Sequence, residues 1–275
     1  MTAVGRLALK EFRDGVRNRW VVATILLLGG LALGLTFVGS APAGALKASA
    51  LDVAVVSLAT LSVYLVPLIA LMISFDAIIG EIERGTALVL LSYPVARWQV
   101  VAGKFFGQLS VLALAILVGY GVAGFVTGAT SESGAAGWAS YAAMAASSIL
   151  LGAVFIALGM LMSALASERA MAAGLAVALW LVFVVLYDLG LLGLLFADET
   201  QSVSPVLFQS LLLANPTDAY RVFNLTAFDG VAEAAGLAGL AGTQGVSRSL
   251  LIGLLVLWAA APLGAAAALF QRKEL

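Results

Sequence analysis

The sequence predicts an all-α integral membrane fold, and three observations carry that prediction. Of its 275 residues, 63% are hydrophobic and 11% charged, whereas soluble domains are nearer half apolar and a quarter charged. The apolar residues gather into six runs of membrane-spanning length. Lys and Arg concentrate between alternate runs, as they do on the cytoplasmic side of a bilayer. The expected architecture is a single domain over residues 1–275 with six transmembrane helices and both termini cytoplasmic. It carries an N-terminal amphipathic surface helix (1–20), a cytoplasmic coupling segment with a helix between spans two and three (78–104), and a small helical outer subdomain between spans five and six (198–248).

The first element is a surface helix over Thr2 to Arg19. Arg6, Lys10, Arg13 and Arg17 recur at steps of four, three and four, forming a basic stripe. Leu9, Phe12, Val16 and Trp20 form an apolar stripe beside it. Such a helix lies at the headgroup boundary, its basic side toward anionic lipid; the plainer reading is a positive anchor for the first span. The first apolar run begins only after Trp20, behind this charged segment, so it reads as a retained span rather than a cleaved leader.

Span one runs from Val21 to Val38, and Ser40 to Lys47 is a short loop. Span two runs from Val53 to Phe75 with Pro67 inside it and a kink expected there. Asp76 follows at its inner end. Between spans two and three lies Glu81 to Lys104, charged at both ends, with Leu88, Leu91 and Val95 at helical spacing. Gly85 breaks the continuation of span two, Thr86 caps a new helix, Pro94 ends it, and Arg97 with Trp98 begin a further short turn. Span three is Phe105 to Thr127, Gly128 to Ser140 a polar outer loop, and span four Tyr141 to Leu165. The Ala, Gly and Ser of span four allow close helix approach, which places it inside the bundle. Ala166 to Arg169 is a tight inner turn. Span five starts near Ala170 and stays apolar to Ala197, longer than a bilayer needs. Asp198 to Arg248 reads as short helices outside the membrane, broken at Asn215-Pro216 with Thr217 capping the next helix. Span six is Leu250 to Leu269, before a charged tail. This topology puts eleven Lys and Arg on the cytoplasmic side and only Lys47, Arg221 and Arg248 outside.

Several chemistries are excluded. The chain has no cysteine and no histidine, which removes disulfides, Cys/His zinc sites, haem ligation by either residue and nucleophilic catalysis by either. A net charge of −1 and no polybasic tail leave no footprint for nucleic acid. No phosphate loop, His-Glu-x-x-His or Gly-x-Ser-x-Gly occurs, so the chain is not expected to be an enzyme or to bind a cofactor of its own. Methionines 72, 144, 160, 162 and 171 fall in or beside spans, where Met is ordinary packing material rather than a copper path.

One carboxylate needs an account. Asp188 lies within span five, where an ionised Asp costs roughly 2.5–3.5 kcal/mol on insertion scales. Hydration by the outer subdomain, a place in a substrate cavity and an ion pair with Arg221 are the alternatives. The strongest functional signal is the inner segment. Its Leu88, Leu91 and Val95 face needs cover from a partner or from the bundle.

The pattern Glu81-x-Glu83-Arg84-Gly85-Thr86, then Leu90-Leu91-Ser92-Tyr93-Pro94-Val95-x-Arg97, then Gly103-Lys104 resembles the cytoplasmic coupling segment of ABC-2-type transporter permeases. Lys10 to Trp20 and Leu211 to Asn224, with the Arg-Lys-Glu-Leu ending, are similar to the members of that family that serve maturation of nitrous-oxide reductase. The resemblance implies a homodimeric permease in the bacterial inner membrane. It would be driven by two copies of a cytoplasmic ATPase that bind ATP and Mg, and would act with a periplasmic partner in copper-centre assembly. By that resemblance Glu81, Glu83, Arg84, Gly85, Thr86, Pro94, Arg97 and Lys104 would face the ATPase. The surface helix would be a second contact. Asn215, Pro216, Asp218, Tyr220 and Arg221 would meet the outer partner. A generic ABC-2 exporter of a lipid-like or small organic substrate is the alternative, and a secondary carrier or membrane anchor the third reading.

Overall fold

Helix is the only regular structure among the described residues, which in this computed structural model are 2–17, 19–39, 50–92, 94–130, 134–197, 204–226 and 246–273. Helix α1 spans Ala3–Val16, with the Thr2 side chain accepting from Gly5 N at 3.3 Å. Helices α2 (Arg19–Gly39) and α3 (Ala50–Ser74) are followed by the short α4 (Ile79–Glu83) and α5 (Thr86–Leu91). Helices α6 (Arg97–Thr130) and α7 (Ala135–Leu165) come next, then α8 (Arg169–Leu181), a π-helical turn (Val182–Leu186) and α9 (Tyr187–Ala197). The chain closes with α10 (Pro205–Ala214), α11 (Pro216–Thr226) and α12 (Arg248–Arg272). Among the described residues, five stretches are long and apolar enough to cross a membrane: Ala50–Glu83, Arg97–Ala129, Ala135–Leu165, Arg169–Phe196 and Arg248–Arg272. Within α2 the described apolar run is the shorter Leu26–Leu35. The loop Ser40 to Lys47, Tyr93 and, within the expected outer subdomain, residues 198–203 and 227–245 lie outside the described residues.

Helix α7 is the central column, as its small residues predicted. It packs along α3, α12 and α6, with Gly152 against Leu112 of α6 and Gly159 against Ser74 of α3. Met144, Leu151, Phe155 and Met160 on it are fully buried, so two of the methionines are core.

Helix α6 departs from expectation at both ends. Arg97 starts the long helix itself rather than a separate turn, because Gln99 Oε1 accepts from Ala96 N at 3.0 Å and caps it there. At its far end α6 runs on to Thr130, and α7 starts directly after Gly134, so the loop expected over Gly128 to Ser140 is much shorter. The helices continue because their side chains meet: the Tyr141 hydroxyl donates to Tyr120 O at 2.6 Å, and Trp138 lies against Gly128.

Helix α1 lies on α6 through a notch of small residues. A Cβ at Gly103 would stand 2.5 Å from Leu7 Cβ, and one at Gly107 would collide with Glu11 and lie 2.9 Å from Ala8 O. Two glycines four apart let helix backbones approach closely. The docked face is therefore Leu7, Ala8, Glu11 and Gly15, a third face beside the two expected stripes. Leu9 and Val16 remain more than a third exposed, and Arg6, Lys10, Arg13 and Arg17 are all exposed.

The described part of the segment expected outside the membrane, residues 204–226, does form short helices, and one of them is built into the bundle. Helix α11 is inserted among α3, α7 and α12, and Pro216 to Tyr220 are all buried. A polar helix is tolerated there because its polar atoms are partnered. The hydroxyls of Tyr220 and Ser148 are 2.8 Å apart, those of Ser62 and Tyr120 2.7 Å, and Asn224 Nδ2 donates to Ser147 Oγ at 3.0 Å.

Overpacking a tight helix contact typically destabilises by about 1–3 kcal/mol. Gly107→Leu is expected to release α1 from α6 and expose the N-terminus to limited proteolysis. Gly174→Leu, where a Cβ meets nothing within 4 Å, should leave the digestion pattern unchanged.

Candidate coupling site

The end of the bundle that carries α1, α4, α5 and the C-terminus of α12 is held together by charge. Lys104 is 6% exposed, and its Nζ donates to Glu11 Oε1 at 2.9 Å and Glu81 Oε1 at 2.8 Å. One ammonium thus joins α1, α4 and α6. Glu81 also accepts from the Thr86 hydroxyl, so Thr86 closes the turn back onto α4 instead of capping α5. Gly85 makes that turn, with φ of +70°, a left-handed conformation that suits a residue without Cβ.

A second knot binds α3 and α4 to α8. Arg169 Nη2 donates to Asp76 Oδ2 at 2.7 Å, with Arg84 Nη1 3.8 Å from the same oxygen. Asp76, at the inner end of span two, is thus ion-paired. Glu83 Oε1 accepts from Arg169 N at 2.7 Å, a carboxylate at the positive end of α8. Ser163 Oγ accepts from Ile78 N at 2.9 Å and Ile79 N at 3.0 Å. These bonds supply the start of α4 with partners that a five-residue helix lacks.

The C-terminus is tied in the same manner. Arg97 Nη1 donates to the carbonyls of Phe270, Gln271 and Lys273 at 2.9, 3.1 and 2.8 Å. Its guanidinium lies 5.7 Å from the centre of the Phe270 ring. Lys273 Nζ donates to Ala164 O at 3.0 Å and Ala166 O at 2.7 Å, and burial draws its ammonium below the ordinary value. Cations at the ends of α12 and α7 satisfy carbonyls that have no partner within the helix.

The structure sorts the eight residues expected to couple. Glu81, Arg97 and Lys104 turn inward and hold the platform together. Glu83, Arg84, Gly85, Thr86 and Pro94 stay on its surface. Leu88 is 62% exposed and Trp98 50%, whereas Val95 packs against the core; the side chain of Leu91 lies outside the described residues. Glu11, Gly107 and Ser163 belong to the same platform and are not among the expected coupling residues, while Gly103, part of the Gly103-Lys104 pattern, serves it as half of the α1 notch. The paired glycines were the available signal.

Beside the platform a cavity of about 780 Å³ opens between α1, α3 and α6. Its walls include Lys10, Arg84, Lys104 and Arg169, and Glu11, Asp14, Asp76 and Glu81. Each of these charges already has an opposite partner within the chain.

At the far end, Asn215, Pro216, Asp218 and Tyr220 face inward. Asn215 and Tyr220 are fully buried and Asp218 is 1% exposed. Asn215, not Thr217, caps α11, its Oδ1 accepting from Thr217 N at 3.1 Å, with Pro216 at the first helical position. Arg221 Nη2 donates to Asp188 Oδ2 at 3.0 Å and Nη1 to Asp218 Oδ1 at 2.7 Å. Of the alternatives for Asp188, the ion pair is the one seen.

Breaking a buried ion pair from one side typically destabilises by about 3–5 kcal/mol, while replacing the whole cluster is nearly neutral. Lys104→Met should therefore lose about that much in unfolding from mixed micelles. Lys104→Met combined with Glu11→Gln and Glu81→Gln should recover most of it.

A family model for ABC-2 family transporter proteins matches residues 6–275. Two curated relatives are each named "Probable ABC transporter permease protein NosY". The one from Pseudomonas aeruginosa is 44% identical over 277 residues and covers all of both chains. The one from Stutzerimonas stutzeri is 41% identical over 276 residues and covers 99% of each. On this match and these relatives, this chain belongs to the ABC-2 family of transporters, as a permease similar to NosY.

Proposed function

We propose that the chain is the inner-membrane permease of an ABC transporter for nitrous-oxide reductase maturation. In this reading α2 is the first of six spans, its 21 residues giving about 32 Å at 1.5 Å per residue. The platform is then cytoplasmic, where the positive-inside rule puts its Lys and Arg. A separate ATPase binds ATP and Mg and docks there, two copies serving two copies of this chain. The observation that carries the docking role is Leu88 and Trp98, left exposed on an end whose other helices are cross-tied. Exposed apolar side chains at an end that also exposes Glu83, Arg84 and Thr86 fit a protein partner.

The ties supply the mechanism. A push on α5 passes through Glu81 and Lys104 to α6 and α1, and through Arg169 to span five. Span five leads to α10 and α11 at the far end. There an outer partner engages α10, whose Val206 and Leu207 are 72% and 51% exposed, rather than the buried Asn215 to Tyr220. Force delivered at that face assists copper-centre assembly of the reductase. No copper path through the spans is required.

Co-expression with the ATPase and a single-step pull-down tests this. Leu88→Glu is expected to leave membrane insertion intact and to reduce retained ATPase at least tenfold. Glu83→Ala with Arg84→Ala is expected to keep the ATPase bound while ATP no longer alters protease protection of α10. ATPase retained in full by Leu88→Glu would remove the docking role.

A further inference from the structure

Span five contains one residue more than an α-helix can hold, and the excess is located. Tyr187 N donates to Val182 O, five residues back, within the π turn Val182–Leu186. Its partner in an α-helix would be Phe183 O, four residues back. That carbonyl is taken from outside the helix. Asn215 Nδ2 donates to Phe183 O at 2.9 Å, and Thr217 Oγ1 stands 3.0 Å from it. The ring of Phe183 is meanwhile held edge-on by Phe155 and by Trp258, with centroids 6.3 and 5.4 Å away. The bulge is thus gripped by its side chain on the bundle and by its carbonyl on α11.

The two sides of the turn are anchored differently. Below it, Trp180 Nε1 donates to Tyr64 O at 3.0 Å, fixing α8 to α3. Above it, the described polar ties all run to the short helices: Tyr187 hydroxyl to Leu211 O at 2.6 Å and Asp188 to Arg221 at 3.0 Å. Single π turns are rare, recur at functional sites and persist where surrounding contacts compensate for them. Asn215 and Thr217 are such contacts, and both belong to α10–α11, not to span five.

We propose that Asn215 and Thr217 form a removable clasp that holds the π turn of span five, making α11 and α9 one two-state element. With the clasp closed, the extra residue stays in the turn and Asp188 faces Arg221. When α11 withdraws, Phe183 O is released to Tyr187 N–H and the turn becomes α-helix. Everything beyond it then rotates by about 100° and advances about 1.5 Å, the increment of one residue. Asp188 leaves Arg221, and the exposed face of α9 carrying Leu189, Leu192 and Phe196 is re-aimed. A small displacement at α11 thereby becomes a discrete change in span five, as bistable packing allows. The Asn-Pro-Thr motif is, in this account, a conformational latch rather than a partner-binding surface. The inference requires no particular cargo.

The chain lacks native cysteine, so single nitroxide labels can be placed at each position from 189 to 196 in the full-length protein, reconstituted in bilayers. Oxygen accessibility along this stretch gives the rotational phase of α9. Asn215→Leu with Thr217→Val is expected to move that phase by about 100°, and Thr217→Ser alone to leave it unmoved. Deleting Val185 in the double variant removes the surplus residue and is expected to restore the original phase. If the double variant is not recovered from membranes, the deletion derivative should still be recovered with the original phase. An unmoved phase in the double variant, or a deletion derivative that is lost or shifted in phase, would overturn the latch.

Discussion

Three elements of this permease meet at one buried ammonium. Lys104 is the partner of both Glu11 and Glu81, and taking any of the three out of water is costly unless all are paired. Without that bond α4 would lose its tie to α1 and α6 and keep its contacts with Ser163 and Arg169, and α1 would rest on α6 by its glycine notch. The remaining ties repeat the principle in weaker form. Arg169 bridges Asp76 and lends its backbone N–H to Glu83, and Arg97 gathers the carbonyls that end α12. The outcome is an end of the molecule in which exposed α5 is tied through Thr86 and Glu81 to α4, α6 and α1.

The opposite end follows a different rule. There the joints are neutral hydroxyls and amides: Tyr220 with Ser148, Ser62 with Tyr120, Asn224 with Ser147. Each such bond is modest in net strength, but leaving one buried member unpartnered is expensive. They set the register of α11 closely without fixing it as charge fixes the first end. The ion pair Asp188–Arg221 and the carbonyl of Phe183 lie where this neutral network meets span five. A charged platform and a hydroxyl-keyed insert, joined by long apolar helices, suit a device that receives force at one end and changes shape at the other.

The helices themselves were legible because runs of apolar residues and the distribution of Lys and Arg depend on the solvent, not on neighbours. The ends of α6 were misjudged because Gln99 and Tyr141 extend it through contacts that local polarity does not reveal. Gly103 and Gly107 display their four-residue spacing openly, but a notch does not say which helix will fill it. Asn215-Pro216-Thr217-Asp218 looks like an exposed turn by composition. Only the assembled bundle shows each of its polar atoms meeting a partner. The π turn left no trace, since one extra residue in a span whose residues around it, Trp180 to Leu186, are all apolar or aromatic alters no periodicity. The functional residues divided for a related reason: Glu81, Arg97 and Lys104 have the same charged chemistry as surface residues, and their burial depends on contacts with α1 and α12.

The charged end is expected to move as one body. Electron–electron resonance distances between nitroxides at positions 6 and 92, on α1 and directly after α5, test this with Leu88 left intact, in the permease assembled with the proposed ATPase. An unchanged, narrow 6–92 distance on ATP binding is expected, while the distance from 92 to 206 on α10 shifts. A 6–92 distance that broadens or moves while 92–206 stays constant would contradict it.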